Sequence, residues 1–321
     1  MASSPGEIGM TIRVALVSDV PGWAFHNIGK QIEKLSDNQI YFRNFVLQGN
    51  STEKMAAGLA REYDYIHFFW RLAALEANLD SRRITTAIYD HQFENDNKLN
   101  NKIFRSVSGI YTSSSRLFEH YSSIAGRYPK VHYANCPDGV NLDFFKPDLA
   151  KENNENEFRI MWVGNSKWGQ NDHKGLESVF YPAIELVKRS RNLRIVPLVI
   201  DSSIQTLSHA DIAKEYKKSD LYLCTSRSEG TPNPILEAMA SGLPFVSTDV
   251  GLVREVAGKI QSQFICQRDP VAFAQKIDIL IDNPQIRSSC TAENLNAITK
   301  FSWSSRALSL KKFFIDTYQV S

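Results

Sequence analysis

DLYLCTSRSEGTPNPILEAMASGLPFVSTDVGLVREV, residues 220–256, is the stretch from which the rest of the chain is read. It opens with the apolar run 221–224, whose length and residue types suit a strand buried in a parallel sheet. A polar loop over 225–233 follows, carrying Arg227, Glu229 and Gly230. Pro232 and Pro234 then admit a helix, because a first-turn proline lacks only an N–H that would go unpaired anyway. Ile235, Leu236, Glu237, Ala238 and Met239 continue the helix. Gly242 and Pro244 end it in the expected order, and 245–247 reads as the next strand. The unit is strand, loop, helix, strand, with Glu229 on the loop and Glu237 eight positions later inside the helix.

That placement has a chemical use. A helix N-terminus offers backbone N–H groups and a partial positive charge, which suit an anion. Glu229 stands just before that end, where it can meet a polyhydroxyl group attached to a bound phosphate. Glu237 lies on the helix flank, where a carboxylate can accept two ribose hydroxyl hydrogens. The plainer reading makes Glu229 a helix cap and Glu237 a surface residue.

The chain around this unit has 321 residues, enough for two domains with separate cores. It is 43% hydrophobic and 22% charged, as soluble globular proteins are, and its formal charge of +2 gives no case for a nucleic-acid partner. Cys136, Cys224, Cys266 and Cys290 are widely spaced, with no C-x-x-C pair, and Cys224 falls in an apolar strand; a reduced, cytoplasmic chain is the economical reading. No apolar run is long enough to span a bilayer and no signal-peptide pattern is present. MASSPGEIG, residues 1–9, reads as a disordered leader.

The first half alternates strand and helix patterns: strands at 12–17, 41–47, 65–69, 84–89, 109–112 and 131–134, with a helix at 24–35 and others between. Such alternation argues a parallel sheet covered on both faces, with ligands beyond the carboxyl ends of its strands. The residues there are Gly22 and Trp23 after the first strand, His67 to Arg71 after the third, and Asp90, His91 and Gln92 after the fourth. Between 97 and 130, Lys98, Lys102, Arg105, Arg116, Arg127 and Lys130 stand against one acid, Glu119. Such a face suits either solvent or an anionic surface. The second half begins after a polar stretch at 148–157. A strand at 159–163 leads into Gly164-Asn165-Ser166-Lys167-Trp168 and on to Lys174-Gly175. A helix at 176–191, a strand at 194–199 and a short helix at 212–218 precede the opening unit.

The pattern E-G-T-P-N-P-I-L-E-A-M-A-S-G-L-P resembles the E-x7-E segment of retaining glycosyltransferases of family 4. The resemblance extends over nearly all the chain from Thr11, with its specificity concentrated between Arg159 and Val256. CPDGVNLDFFKP, residues 136–147, resembles the family's N-G-V-D-x-x-x-F-x-P segment. Gly164 followed by Lys174-Gly175 resembles its V-G-R, variable loop and K-G. Two departures stand out. Asn165 replaces the arginine, with Lys167 the nearest substitute, although a lysine cannot form arginine's bidentate fork. The first loop, PGWAFHNIGK, has Gly22 but adds the bulk of Trp23 and Phe25. An aromatic there either stacks on a sugar or packs the helix against the sheet.

The resemblance implies an α/β fold of GT-B type, two Rossmann-like domains facing each other across a cleft. The expected layout is an N-terminal acceptor domain over 10–147, a linker over 148–157, a nucleotide-sugar domain over 158–300 and a C-terminal helix over 301–321 packing back on the first domain. It implies transfer of a sugar from a nucleoside-diphosphate donor, UDP rather than GDP or ADP, to an acceptor hydroxyl, in polysaccharide or glycolipid synthesis. The site it implies has Glu229 and His91 as catalytic groups. Gly164, Lys167, Lys174, Gly230, Thr231, Pro232, Asn233, Pro234, Ile235 and Glu237 bind the donor, and Gly22, Trp23 and His67 lie on the acceptor side. Partners are the donor, a carbohydrate or lipid-linked acceptor and, through the basic 97–130 face, peripheral contact with the inner membrane face. No Asp-x-Asp occurs, so neither metal nor cofactor is expected. The competing readings are a non-catalytic nucleotide-sugar-binding scaffold and an epimerase or phosphorylase of the same fold. A dinucleotide-dependent dehydrogenase is disfavoured, since no G-x-G-x-x-G follows the first strand.

Overall fold

The computed structural model describes residues 11–47, 49, 51–148 and 156–320, so the expected leader and most of the expected linker lie outside the described residues. The chain divides into two units. Unit 1 comprises residues up to Ser113, Leu117–Cys136 and Ala307–Ser321; unit 2 comprises Ser114–Arg116 and Pro137–Arg306.

Unit 1 alternates β1 (Ile12–Ser18), α1 (Ala24–Glu33), β2 (Ile40–Val46), α2 (Thr52–Leu59), β3 (Tyr65–Phe68), α3 (Arg71–Glu76), β4 (Ile84–Ile88), α4 (Asn97–Arg105), β5 (Gly109–Thr112), α5 (Ser115–Ala125) and β6 (His132–Asn135). The sheet order is β2-β1-β3-β4-β5-β6, and every pairing is parallel. Short, wholly buried strands such as β3, β4 and β5 are what two covered faces require.

Unit 2 runs β7 (Glu157–Gly164), α6 (Tyr181–Arg189), β8 (Arg194–Asp201), α7 (His209–Lys218), β9 (Leu221–Cys224), α8 (Asn233–Ala240), β10 (Phe245–Thr248), α9 (Val253–Val256), β11 (Ile265–Cys266), α10 (Pro270–Asp282), α11 (Pro284–Ile298) and α12 (Trp303–Val320). Its parallel sheet has the order β11-β10-β9-β7-β8. The chain passes from β7 outward to β8, then crosses over to β9 on the other side of β7. That reversal makes the carboxyl ends of β7 and β9 a topological switch point, where open α/β sheets leave a crevice. Both units are Rossmann-like.

One segment sits differently from the expected boundaries. Residues 137–147 have their contacts in unit 2: Val140 N–H donates to the Phe301 carbonyl at 2.8 Å, and Phe145 packs edge-on against Tyr216. The end of α12, by contrast, belongs to unit 1. Leu310, Phe313, Phe314 and Thr317 are buried there. Phe314 meets Phe42 of β2 with ring centroids 5.4 Å apart, Phe313 meets Tyr111 of β5 at 5.2 Å, and Lys311 pairs with Asp37 at 2.7 Å. Gly109 on β5 makes room for this helix, since a Cβ there would meet Thr317 Oγ1 at 2.8 Å. No helix among the described residues is long and apolar enough to cross a membrane.

Candidate functional site

The loops beyond β7 and β9 bring together the residues on which the sequence reading centres. Lys174 Nζ lies 2.6 Å from Glu229 Oε1, and both side chains are mostly buried, at 19% and 15% exposure. Ser226 Oγ donates to the same carboxylate oxygen at 2.6 Å. The ammonium also lies 4.9 Å from the Trp168 ring centroid, a cation–π contact. Lys174 is held from behind as well. The Thr225 hydroxyl donates to the Lys174 carbonyl at 2.7 Å and accepts from Trp162 Nε1 at 3.1 Å. Gly175, at φ 74°, lets the chain pass so close that a Cβ would collide with the Thr225 carbonyl. A π-helical turn at Leu176–Phe180 follows, where α-helix was expected from residue 176.

Glu229 is fixed from the other side by Gly251, at φ 51°, whose backbone lies against the Gly230 carbonyl; any Cβ there would collide with it. Burial lowers the pKa of His173, whose Nε2 lies 3.0 Å from the Ser228 carbonyl oxygen. Burial also raises the Cys224 thiol to about 11, so this residue is no nucleophile at neutral pH.

Helix α8 starts after Pro232 as the prolines require and ends at Ser241, with Gly242 in the left-handed region at φ 78°. Its N-terminus offers fewer anion donors than a helix start usually does. Pro232 and Pro234 have no N–H, Asn233 N–H donates to the Thr231 carbonyl at 2.9 Å and Ile235 N–H to the Pro232 carbonyl at 2.8 Å. Two of the backbone N–H groups over 231–235 expected to serve a phosphate, those of Asn233 and Ile235, are thus engaged within the turn. Thr231 and Asn233 instead hold Asp138: Asp138 N–H reaches Thr231 Oγ1 at 3.4 Å and Asn233 Nδ2 donates to Asp138 Oδ2 at 3.2 Å.

Glu237 is half-buried on the flank of α8. Burial pushes its carboxyl up to about 8, opposed by the hydrogen bond from Tyr216. Tyr216 itself is fully buried, and nothing in its local sequence, KEYKK, marks it as part of a site. Gly164 has a structural reason for lacking a side chain, because a Cβ would meet the Trp162 indole at 2.7 Å. Asn165 turns its Oδ1 back to accept from Lys167 N–H at 3.0 Å, and the Lys167 side chain is exposed with no acidic partner among the described residues.

In unit 1 the expected residues separate. His67 is corrected: it is fully buried, stacked on Tyr111 at 5.1 Å and edge-on to Phe314 at 5.5 Å. Nδ1 pairs with Thr85 Oγ1 at 3.0 Å, and burial drives the imidazole down to about 3, so it is a neutral core residue that no acceptor reaches. His91 is half-buried, with Nδ1 2.7 Å from Glu94 Oε2. Its backbone is bracketed by Arg71, 1% exposed, which pairs with Asp90 at 2.7 Å and donates to the Gln92 carbonyl. The first loop divides its two aromatics. Phe25 packs the helix onto the sheet against Phe69 and Tyr89, while Trp23 is 43% exposed. Gly22, at φ 78°, donates its N–H to His26 Nδ1 at 2.7 Å.

Residues 140–283, which contain the Lys174–Glu229 pair and Glu237, match the family model of glycosyl transferases group 1. An uncharacterized glycosyltransferase of Haemophilus influenzae is 30% identical over 92 residues, which is 28% of this chain and 26% of that protein. A D-inositol 3-phosphate glycosyltransferase of Frankia alni is 32% identical over 98 residues, 30% of this chain and 24% of that protein. The matched stretch thus spans about a quarter of the length of these curated relatives. Among solved structures, sucrose-phosphate synthase from Thermosynechococcus elongatus is similar with a TM-score of 0.72 at 14% identity, covering 97% of this chain and 100% of that one. Anabaena HepE in complex with UDP is similar at 0.69 and 16% identity, covering 96% and 100%. The sequence match to glycosyl transferases group 1 is thus confined to residues 140–283, while the two Rossmann-like units share the GT-B fold of these solved structures.

Proposed function

We propose that the chain is a retaining, metal-independent glycosyltransferase of family 4 that moves a sugar from a UDP-linked donor to an acceptor hydroxyl. The observation that carries the proposal is the Lys174–Glu229 pair at the β7/β9 switch point, with Glu237 on the adjoining helix. In this reading the bond between the sugar's anomeric carbon and the diphosphate oxygen breaks, and one to the acceptor oxygen forms on the same face. The acceptor proton passes to the departing phosphate. Lys174 neutralises the charge gathering on the diphosphate, as preorganised cations do at a developing anion. Glu229, held by Lys174, Ser226 and the backbone behind it, fixes the sugar hydroxyls and steadies the cationic carbon. Glu237 holds the ribose. His91, Gly22 and Trp23 keep their catalytic and acceptor-side assignments on the strength of the resemblance and of their accessibility within unit 1.

The acceptor is proposed to be carbohydrate or lipid-linked, with the enzyme peripheral at a membrane face. In support, Lys98, Lys102 and Arg105 recur at i, i+4 and i+7 on α4 and are exposed. Arg127 and Lys130 are exposed as well, and Tyr128 between them bonds to Asn101 of α4 at 2.7 Å. None of these five cations has an acidic partner among the described residues. Arg116 leaves the set, because it pairs with Asp249 at 2.9 Å.

The test is a thermal-shift panel of UDP, GDP, ADP, CDP and TDP without added metal. Stabilisation by UDP above the other four is expected. If none of the five stabilises the protein at millimolar concentration, the donor site is refuted and a scaffold role becomes the better reading.

A further inference from the structure

Tyr216 of α7 is fully buried, yet its hydroxyl lies 3.1 Å from Glu237 Oε2 and 3.0 Å from the Pro234 carbonyl oxygen. Its ring is set by Phe145, edge-on with centroids 5.7 Å apart, and by Tyr222 at 6.0 Å. Phe145 comes from the CPDGVNLDFFKP segment, which the donor-site reading leaves without a role. The other carboxyl oxygen, Glu237 Oε1, has no hydrogen-bond partner among the described residues and is not among the buried polar atoms. The carboxyl is therefore gripped on one side and open on the other.

We propose that Tyr216 is the positioning residue of the ribose subsite: its hydroxyl turns the Glu237 carboxyl so that Oε1 is presented to the donor's ribose hydroxyls, with Phe145 fixing the tyrosine ring. This rests on the assignment of Glu237 to the ribose. A hydroxyl has one proton and two acceptors here, so its bonding depends on the charge of its neighbour. When Glu237 is protonated, the carboxylic acid donates to the Tyr216 oxygen and Tyr216 donates to the Pro234 carbonyl, so every group is satisfied. When Glu237 is ionised, Tyr216 donates to Oε2 and the Pro234 carbonyl loses that donor. Two ribose hydroxyls donating to the carboxyl replace the acid proton, so nucleotide binding releases one proton to solvent below the free carboxyl's titration range. The titratable groups that interact with Glu237 are Tyr216 from α7 and Tyr222 from β9, and neither is a cation. Burial without a compensating charge agrees with the raised carboxyl described above.

Calorimetric titration with UDP and with its 2′,3′-dideoxy analogue, at pH 7 and pH 9, separates the possibilities. In the unmutated protein UDP binds roughly 10-fold or more tightly than the dideoxy analogue, the scale of hydrogen bonds to a charged acceptor. Glu237→Gln brings that ratio close to one. Tyr216→Phe keeps the ring against Phe145 and removes only the hydroxyl; the ratio falls several-fold at pH 7. The deficit narrows at pH 9, because losing the tyrosine donor shifts the carboxyl's titration upward. A merely structural tyrosine would change affinity for both ligands alike and leave the pH dependence unmoved. Should Tyr216→Phe fold poorly, Phe145→Leu loosens the ring without touching the hydroxyl and lowers the same ratio by a smaller factor. Unchanged ribose discrimination in a folded variant, with UDP still bound, overturns the inference alone. Failure of UDP to bind the unmutated protein overturns the donor site itself and this inference with it.

Discussion

Replacing Lys174 by methionine separates its structural role from its role toward the donor. Methionine keeps an apolar stem beside Trp168 but removes the charge, leaving Glu229 with the Ser226 hydroxyl as its remaining side-chain donor. An exposed ion pair is worth about 0–1 kcal/mol, and breaking a buried one costs about 3–5 kcal/mol. At 19% and 15% exposure this pair lies between those limits, and the surviving serine bond softens the loss, so a cost of about 2 kcal/mol is expected. For a unit the size of unit 2 that is a fall of roughly 4–8 °C in Tm. Glu229→Gln should cost less, since the ammonium keeps the Trp168 face. The double variant should be more stable than the two single losses predict, by about 1 kcal/mol. The donor effect is read separately. A ligand present at a hundredfold excess over Kd stabilises by about 2.7 kcal/mol, and a tenfold weaker Kd leaves about 1.4 kcal/mol. Scanning calorimetry of all four proteins, with and without UDP, measures both quantities. If Lys174→Met melts lower but gains as much from UDP as the unmutated protein does, Lys174 is a structural partner of Glu229 and takes no part in holding the diphosphate.

Glu229→Gln is expected to keep UDP binding and to lower turnover by roughly 100-fold or more, measured as sugar transfer at saturating donor; near-normal turnover would remove Glu229 from the mechanism. Glu237→Ala should raise KM for the donor and Kd for UDP alike while kcat is largely retained, as loss of a contact made before and during reaction does; an unchanged Kd with a collapsed kcat would reverse the roles given to the two glutamates. The raised Glu237 carboxyl also fixes the sign of a pH effect on the ligand-free protein. A carboxyl near 8 in the fold and 4.5 when unfolded holds its proton in the native state across that window, so its stability contribution is complete below about pH 4.5 and lost as pH rises through 8. Denaturant midpoints of the unmutated protein and Glu237→Gln should therefore converge at low pH and diverge towards pH 8, with the glutamine variant the more stable; parallel profiles would contradict the burial. Gly251→Ala, which forces a Cβ onto the Gly230 carbonyl at a left-handed φ, should lower both Tm and UDP affinity, and an unaffected melting curve would show the Glu229 loop to be less tightly clamped than drawn.

The sequence by itself determined most of the strands. The run 221–224 is β9 to the residue, and 109–112 is β5 to the residue, because short apolar stretches between turn residues can only be buried strands in so regular an alternation. Glu229 and Glu237 stood out because their eight-residue spacing lies within one strand–loop–helix unit, whereas Lys174, 55 residues before Glu229, was brought to it by the fold. What covers each face of a sheet is set by elements far away in the chain, and there only the tertiary structure decided. His67 read as a strand-end ligand until α12, more than two hundred residues later, closed over it. Trp23 and Phe25 were equivalent on paper, and packing against Phe69 and Tyr89 told them apart. The want of a side chain at Gly164 is explained by the indole of Trp162, which a Cβ there would meet. Tyr216, in a helix of ordinary charged residues, gained its meaning only when the β9 crossover laid α7 beside α8 and set its hydroxyl against Glu237. Burial of a polar group is a property of the neighbours that exclude water, and those neighbours are brought together by the fold rather than by adjacency in sequence.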